Sequence, residues 1–217
     1  VGYYRQRIAQ QQAEQDRERL GMDRRTRQHE RFAKGSEMMA ADAPEMRIAG
    51  LNVIAALGAE VSPDDALRQT CINLICAYLR KNSPADQGGP VPVRRAARSQ
   101  RAADLVASGR YRAVTEEACR LLPTLFETAH DTTPNGRRLL LRRAPDPQPT
   151  ALDVDLRNTA LVAMAFRRRV IGRARFEGAS FSGDAWFDMA TFSDSAGFTG
   201  ATFAENAWFN RATFSGS

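Results

Sequence analysis

A series of phenylalanines near the C-terminus constrains the fold more than any other feature of the sequence. Successive members are separated by five and six residues in strict alternation. The series is Phe176, Phe181, Phe187, Phe192, Phe198, Phe203, Phe209 and Phe214. A period of five to six fits neither an α-helix nor a continuous strand, so we expect short extended segments joined by regular corners.

An alanine stands two residues before each of these phenylalanines. The alanines are Ala174, Ala179, Ala185, Ala190, Ala196, Ala201, Ala207 and Ala212. Because side chains alternate along an extended chain, the alanine and the phenylalanine of one segment point to the same side. The pattern therefore predicts a narrow interior filled by both residue types.

The same spacing continues upstream with less regular side chains. Four earlier centres precede Phe176 at intervals of five, which gives twelve centres in all. These earlier centres are Leu156, Leu161, Phe166 and Ile171. Arg169, two residues before Ile171, fits an apolar interior poorly because a buried charge needs a partner. We expect it at a distorted corner where the helical part of the chain meets the repeat.

Segments 179–183, 190–194 and 201–205 resemble the pentapeptide-repeat family, whose pattern is A-(D/N)-(L/F)-x-x. The resemblance implies a right-handed β-helix of square cross-section with four repeats per coil, so twelve centres make about three coils. The alternating six-residue units predict an insertion at every second corner. An antiparallel sandwich is the alternative, disfavoured because no Asn-Gly or Asp-Gly pair interrupts the run.

Trp186 and Trp208 are separated by two five-residue and two six-residue units, which together make one coil. We expect them to point outward on one face and to stack. The stack is interpreted first as a surface aromatic ladder and second as a ligand platform. Together with Arg167 and Arg168, the two tryptophans are the candidate interaction surface.

The net charge of +6 is unevenly distributed. Residues 174–217 contain five acidic and two basic residues, a balance of −3, so the rest of the chain is basic. Arginine clusters can bind anionic lipid or nucleic acid. No single helix places its arginines on one face with interleaved aromatics, which argues against nucleic acid. A GC-rich genome would produce the same arginine content.

Nothing in the sequence indicates catalysis or metal binding. The three cysteines (Cys71, Cys76 and Cys119) and two histidines lack zinc-site spacing and are interpreted as reduced, structural cysteines and isolated histidines. No phosphate-binding loop, Ser-His-Asp set or convergent carboxylate pair is visible. We therefore expect no enzyme, no catalytic residue, no metal and no cofactor.

Helices are predicted before the repeat. A polar helix covers 5–40; a second is capped by Asp42, with Met46, Leu51, Ile54 and Leu57 as its apolar stripe. A third starts after 62–65 and forms a helical hairpin with the second. A fourth covers about 115–130, with Thr115 as its cap and Pro123 kinking it or ending its first part.

These elements predict an α+β fold with helical hairpins before a short β-helix. The predicted division is a polar connector at 1–41, an α-helical domain at 42–143 with a flexible linker near 84–100, a linker at 144–151 and the repeat at 152–217.

Parts of 31–80 resemble the helical region that precedes pentapeptide repeats in actinobacterial proteins, commonly after a membrane anchor. Tyr3 and Tyr4 followed by Arg5 and Arg7 are typical of the aqueous end of a membrane helix, or of a frayed terminus. Both chain ends are interpreted as cuts in a longer protein. The expected location is the cytoplasmic side, tethered by a membrane span outside this chain.

The functional hypothesis is a non-enzymatic scaffold or protein-interaction module with an unidentified protein partner. One alternative is a DNA mimic that inhibits gyrase, since some pentapeptide-repeat proteins resemble duplex DNA. That role requires a long, strongly acidic rod, whereas the charge here is small. A second alternative is peripheral binding to an anionic membrane through the arginine clusters.

Overall fold

A computed structural model of the chain describes residues 2–83, 109–128 and 151–216. In this part of the chain, four α-helices and a 3₁₀ turn precede a parallel β-solenoid of about three coils. The helices are α1 (Gly2–Met39), α2 (Pro44–Glu60), α3 (Ala66–Lys81) and α4 (Gly109–Leu121), followed by the 3₁₀ turn Leu122–Leu125. The predicted α+β fold class is confirmed, whereas the predicted linkers at 84–100 and 144–151 lie largely or wholly outside the described residues.

The solenoid consists of short strands, most of them two residues long. They are β1 (Leu152–Asp155), β2 (Ala160–Leu161), β3 (Met164–Ala165), β4 (Val170–Arg175), β5 (Ser180–Phe181), β6 (Ala185–Trp186), β7 (Thr191–Phe192), β8 (Ala196–Gly197), β9 (Thr202–Phe203), β10 (Ala207–Trp208) and β11 (Thr213–Phe214). All pairings between these strands are parallel. The antiparallel sandwich is therefore wrong for this segment.

The first helix is polar along most of its length, as predicted. From Gln10 onward it is exposed until its C-terminal turns, which pack against α2. A Cβ on Gly50 would lie 2.6 Å from the Met39 backbone nitrogen and 2.7 Å from the Gly35 carbonyl oxygen, so the two helices approach closely only because residue 50 is glycine. Arg31 and Glu60 join them further along by two hydrogen bonds of 2.5 and 3.0 Å.

Two of the predicted helix starts are wrong. Ala43, and not Asp42, is the N-cap of α2, and Pro44 begins the helix without any side-chain cap. Thr115 lies buried inside α4, which begins six residues earlier at Gly109. The apolar stripe of α4 extends back to buried Val114, one turn before Ala118, and this packing outweighs the cap signal at Thr115.

Other helix signals are confirmed. The carboxylate of Asp65 accepts the Leu67 N–H at 2.9 Å and caps α3. The α-helix α4 ends at Leu121, two residues before Pro123, and the chain continues as the 3₁₀ turn. Leu51, Ile54 and Leu57 are fully buried, whereas Met46, predicted in the same stripe, is 43% exposed because it lies in the first turn of α2.

The strands stack into ladders that run along the solenoid. One ladder is β2–β5–β9 and another is β3–β6–β10. Strand β4 joins two further ladders, because β1 pairs along its length on one side, while on the other side its first residues pair with β7 and its last residues pair with β8. Ser180 pairs with Ala160 in the preceding coil and with Thr202 in the following one. The second separation is longer than the first by two residues, so the coil lengthens along the chain.

The corners alternate in type, as the spacing predicts. In six corners, the residue two positions after a centre adopts a positive φ. These residues are Asn158, Arg168, Gly178, Met189, Gly200 and Arg211. The extra residue of each six-residue unit lies in the other corners, for example at 182–184. Right-handedness and a square cross-section stay predictions.

The interior contains columns of stacked phenylalanines. Each ring lies nearly parallel to the ring one coil later, at centroid distances of 5.0 Å for Phe176–Phe198, 4.8 Å for Phe181–Phe203, 4.9 Å for Phe187–Phe209 and 4.8 Å for Phe192–Phe214. Rings of neighbouring faces meet edge to face, which is the favoured geometry for crossing aromatic planes. Burial decreases along the columns, and Phe214 is 54% exposed.

Side chains of the helical region bind the polar backbone at the edge of the first coil. The Gln69 amide lies beside β1 as another strand would: its oxygen accepts the Asp153 N–H at 2.8 Å and its nitrogen donates to the Asp153 carbonyl at 3.0 Å. The Ser83 hydroxyl accepts the Ala160 N–H at 2.7 Å. The edge of a coil otherwise exposes unpaired peptide groups. Side chains of α3 and of the turn after it therefore form the hydrogen bonds that a further coil would form.

Arg169 lies at the junction of the two parts, as predicted. Its guanidinium donates to the Phe126 carbonyl at 3.0 Å and to the Thr128 hydroxyl at 3.1 Å. The neighbouring Val170 N–H donates to the Glu127 carbonyl at 2.9 Å. An arginine at an apolar position is therefore accommodated because the chain after α4 supplies its acceptors.

Two buried thiols complete the same edge. Burial raises the pKa of Cys76 and of Cys119 to about 12 each. Hydrogen bonds from the Asp155 and Val162 backbone partly oppose this rise in pKa, so each thiol faces a peptide group of the first coil. One continuous hydrophobic core crosses this contact and joins the helices to the solenoid.

The phenylalanine columns predict that truncating a buried ring lowers the free energy of unfolding more than truncating an exposed one. Phe187 is fully buried and contacts rings in its own and adjacent coils, so Phe187→Ala should lower the free energy of unfolding by about 3–5 kcal/mol in urea denaturation. Phe187→Leu should cost less. Phe214→Ala is the matched control and should cost at most about 1 kcal/mol. Equal losses at the two positions would contradict the columnar core.

The raised thiol pKa values predict alkaline destabilisation. Above about pH 9 the unfolded chain loses thiol protons that the folded chain keeps until about pH 12, so stability falls as pH rises. The free energy of unfolding of the native protein, relative to that of Cys119→Ala, should fall by about 1.4 kcal/mol per pH unit between pH 9 and pH 11. A difference that stays constant across this range would show that Cys119 titrates normally in the folded state.

Candidate interaction surface

The outward side of the β3–β6–β10 ladder carries both tryptophans of the chain, and we call it the tryptophan face. It comprises Ala165, Trp186 and Trp208, which lie in register in successive coils, and the polar residues at the ends of these strands. The indoles stack with a centroid distance of 5.4 Å and an interplanar angle of 7°, as their one-coil spacing predicts. Both are partly buried.

Columns of aspartate and asparagine flank the tryptophans. Asn206 donates from its side-chain amide to an Asp184 carboxylate oxygen at 3.2 Å, and Asn210 donates to Asp188 at 2.8 Å. The backbone N–H of Asn210 also points to the same Asp188 oxygen, at 3.2 Å. Pairing an acid in one coil with an amide in the next avoids the repulsion of two stacked carboxylates.

The predicted arginines lie at the corner that follows strand β3 of this face. The Arg167 side-chain nitrogen Nε is 3.6 Å from the Asp188 carboxylate, and Asp188 is only 7% exposed. Arg168 occupies the positive-φ position of the corner, and its N–H donates to the Asp188 carbonyl at 2.9 Å. The structure thus brings Arg167 and Arg168 to the end of the strand ladder that carries the tryptophans. Their role in binding stays a prediction.

A cleft of about 320 Å³ separates the tryptophan face from helix α4. Its lining is mainly apolar and comprises Val162, Ala163, Met164, Ala165, Trp186 and Cys119, with Glu116 and Arg120 at the α4 side. Nothing in the sequence indicated this cleft. It depends on α4 packing beside strands that come much later in the chain, and no local pattern encodes that contact.

The charged groups of the α4 wall are already paired with one another. Arg112 and Glu116 are 2.7 Å apart, and Arg120 and Glu117 are 2.6 Å apart. The hydrogen bond from Arg120 lowers the pKa of Glu117, with a smaller contribution from the Asn52 amide. Such exposed pairs contribute little stability, but they leave the cleft with no uncompensated carboxylate on that wall.

Two kinds of feature, a metal-binding cluster and a membrane-spanning helix, were sought in the described residues. Within 2–83, 109–128 and 151–216, no group of three or more His, Cys, Asp or Glu side chains is arranged to hold a metal ion. Among the helices of these ranges, none has both the length and the apolar character needed to cross a bilayer. Residues 151–216 contain seven acidic and seven basic residues, so the solenoid has no net formal charge.

The architecture defines a β-solenoid with a partly exposed aromatic face and a helical region bound to its first coil. Residues 171–217, which are 47 of the 217, match the family model described as pentapeptide repeats, in nine copies. This C-terminal segment is a pentapeptide-repeat solenoid. Searches of curated proteins and of solved structures found no match.

The amide–carboxylate pairing predicts a pH-dependent effect of Asn210→Asp. This change places a second carboxylate against Asp188 and should lower the free energy of unfolding by about 1–3 kcal/mol at pH 7. The loss should disappear below about pH 4, where carboxylates become protonated.

The exchanged pair Asp188→Asn with Asn210→Asp is the control, and it should recover part of the stability at pH 7. Thermal unfolding at pH 7 and pH 3.5 measures both effects. A loss for Asn210→Asp that is the same at both pH values would argue for a packing defect and against charge repulsion.

Proposed function

We propose that this chain is a non-enzymatic scaffold whose tryptophan face binds a partner protein. The observation that carries the proposal is the pair of stacked, partly exposed indoles beside an apolar cleft on a rigid support. Tryptophan and arginine are the residue types that most often dominate binding energy at protein interfaces. Both types occur on the β3–β6–β10 ladder: the tryptophans lie in β6 and β10, and Arg167 follows β3 beside Asp188.

Rigidity supports this function. Each coil pairs its peptide groups with the next, and the first coil is bound by Gln69, Ser83 and the residues after α4. A surface of this kind loses little conformational entropy when it binds, so more of the contact energy becomes affinity. The face is also mainly apolar at its centre and polar at its rim, which is the usual arrangement at an interface.

Neither alternative function has an observation that favours it over protein binding. A DNA mimic needs a strongly negative rod, and the solenoid residues 151–216 balance seven acids with seven bases. Membrane binding needs available cations, yet many described arginines already contact carboxylates. Those arginines are Arg31, Arg80, Arg112, Arg120, Arg157, Arg167, Arg173 and Arg175.

The proposed location is the cytoplasmic side of the inner membrane, with attachment through a segment outside this chain. It is supported by the aromatic and basic residues at the start of α1, where Tyr3 and Tyr4 precede Arg5 and Arg7. Helix α1 would then hold the tryptophan face at a distance from the bilayer, since 38 residues of helix extend about 57 Å.

Site-specific photo-crosslinking tests the protein-binding proposal. A photoreactive amino acid replaces Arg167 beside the tryptophan face or, as the matched control, exposed Thr202 on the adjacent β2–β5–β9 ladder. In the cells that make this protein, position 167 should give a discrete crosslinked product and position 202 should not. The product, identified by mass spectrometry, is purified and titrated against the native chain and Trp186→Ala.

The native chain should bind the purified partner with a micromolar or lower Kd, and Trp186→Ala should weaken binding at least tenfold. Crosslinking of the same proteins from both positions, or a Kd unaffected by Trp186→Ala, would contradict the assignment of this face.

A further inference from the structure

The aromatic column on the tryptophan face stops one coil short. Trp208 pairs in register with Trp186, and Trp186 pairs in register with Ala165 of the preceding coil. The first position of the column therefore holds a methyl group where the next two hold indoles. Ala165 is exposed, so the structure does not fill that position with another side chain of its own strand.

The free face of Trp186 borders the cleft. Trp208 covers one side of this indole at 5.4 Å, and Trp208 does not line the cleft. Trp186 and Ala165 both line it, so the cleft begins on the side of the indole that is directed toward the Ala165 coil. Helix α4 closes the opposite wall with Cys119 and Arg120.

We propose that this cleft binds an aromatic side chain of the partner polypeptide, which stacks on Trp186 as the third ring of the column. This inference rests on the proposed function and specifies the chemistry of its anchor. The site lies between strand β3, strand β6 and helix α4, and Val162, Ala163 and Met164 also line it.

The geometry favours an aromatic ring over other side chains. A ring placed one stacking distance from Trp186 lies above Ala165, where the coil has left room for a planar group. The cleft, at about 320 Å³, is at the lower end of the range typical of ligand sites and suits one side chain better than a larger ligand. Offset or parallel stacking adds to the energy of apolar burial.

The charged groups at the rim of the cleft also favour an aromatic side chain. Glu116 is paired with Arg112, so the α4 wall offers no unpaired carboxylate to a lysine or arginine of the partner. The Arg120 guanidinium, which is paired with Glu117, lines the cleft and can lie against the face of a bound ring. An aliphatic side chain would fill the volume but would gain neither the stacking nor the cation–π contact.

Protein-observed NMR of the full chain tests the inference directly. The chain contains two tryptophans, so its spectrum has two indole N–H signals, and Trp208→Ala assigns the one from Trp186. The probe is N-acetyl-L-phenylalaninamide, and N-acetyl-L-leucinamide is its aliphatic control. The Trp186 signal should shift saturably with the aromatic probe at millimolar Kd and at least fivefold more weakly with the aliphatic one.

Matched variants locate the site. Trp186→Ala should weaken binding of the aromatic probe at least tenfold, followed through the amide signals of Ala163 and Ala165, whereas Trp208→Ala should change Kd less than about twofold. Ala165→Trp supplies the third ring from the chain itself and should abolish probe binding. Because residue 165 is exposed, this variant should keep the native spectrum elsewhere and the native unfolding temperature.

Equal Kd values for the two probes, equal losses for the two tryptophan variants, or unchanged binding to Ala165→Trp would overturn the inference. The partner crosslink from position 167 separates this failure from failure of the proposed function. If that crosslink persists at native yield in an Ala165→Trp background, the face binds a partner without using the cleft, and only the aromatic anchor is wrong.

Discussion

The whole solenoid depends on how the peptide groups at the edge of its first coil are satisfied. A β-coil pairs with the coil after it, but its outermost strand has donors and acceptors with no coil beyond them. Here the Gln69 amide, the Ser83 hydroxyl and the Glu127 carbonyl bind that edge, and the thiols of Cys76 and Cys119 face it. The helices therefore serve as the first layer of a stack, and the phenylalanine columns can form above them.

The interior and the surface of the solenoid repeat with the same shift, which is one coil along the solenoid axis. A shift of one coil places phenylalanine on phenylalanine inside and tryptophan on tryptophan outside, with rings nearly parallel in both cases. Inside, these contacts stabilise the coils by burial. Outside, the same repetition produces an ordered aromatic surface whose shape is set by the backbone pairing of β3, β6 and β10. This is why the proposed binding face needs no rearrangement to present its indoles.

The sequence predicted the features that repeat and missed those that arise from contacts between distant segments. The spacing of Phe176 to Phe214 was enough for the columns, and the one-coil spacing of Trp186 and Trp208 was enough for their stacking. Arg169 was also informative, because a charge at an inward position requires hydrogen-bond acceptors, and the Phe126 carbonyl after α4 is one of them. Thr115 misled because the packing of Val114 extends α4 beyond a plausible cap, and the cleft could not be predicted because it lies between α4 and a face of the solenoid.

Asp184 and Asp188 are followed, one coil later, by Asn206 and Asn210 at the equivalent positions. This difference bears on how a solenoid can be lengthened by duplication. Duplicating a coil is the simplest way to lengthen a solenoid, but a literal copy would set carboxylate above carboxylate along the new turn. The segments 184–192 and 206–214 have the same apolar residues at most positions, whereas the second has an amide at each position where the first has an acid. A duplicated coil that kept both acids would carry this repulsion at two positions, and each further identical copy would add to it.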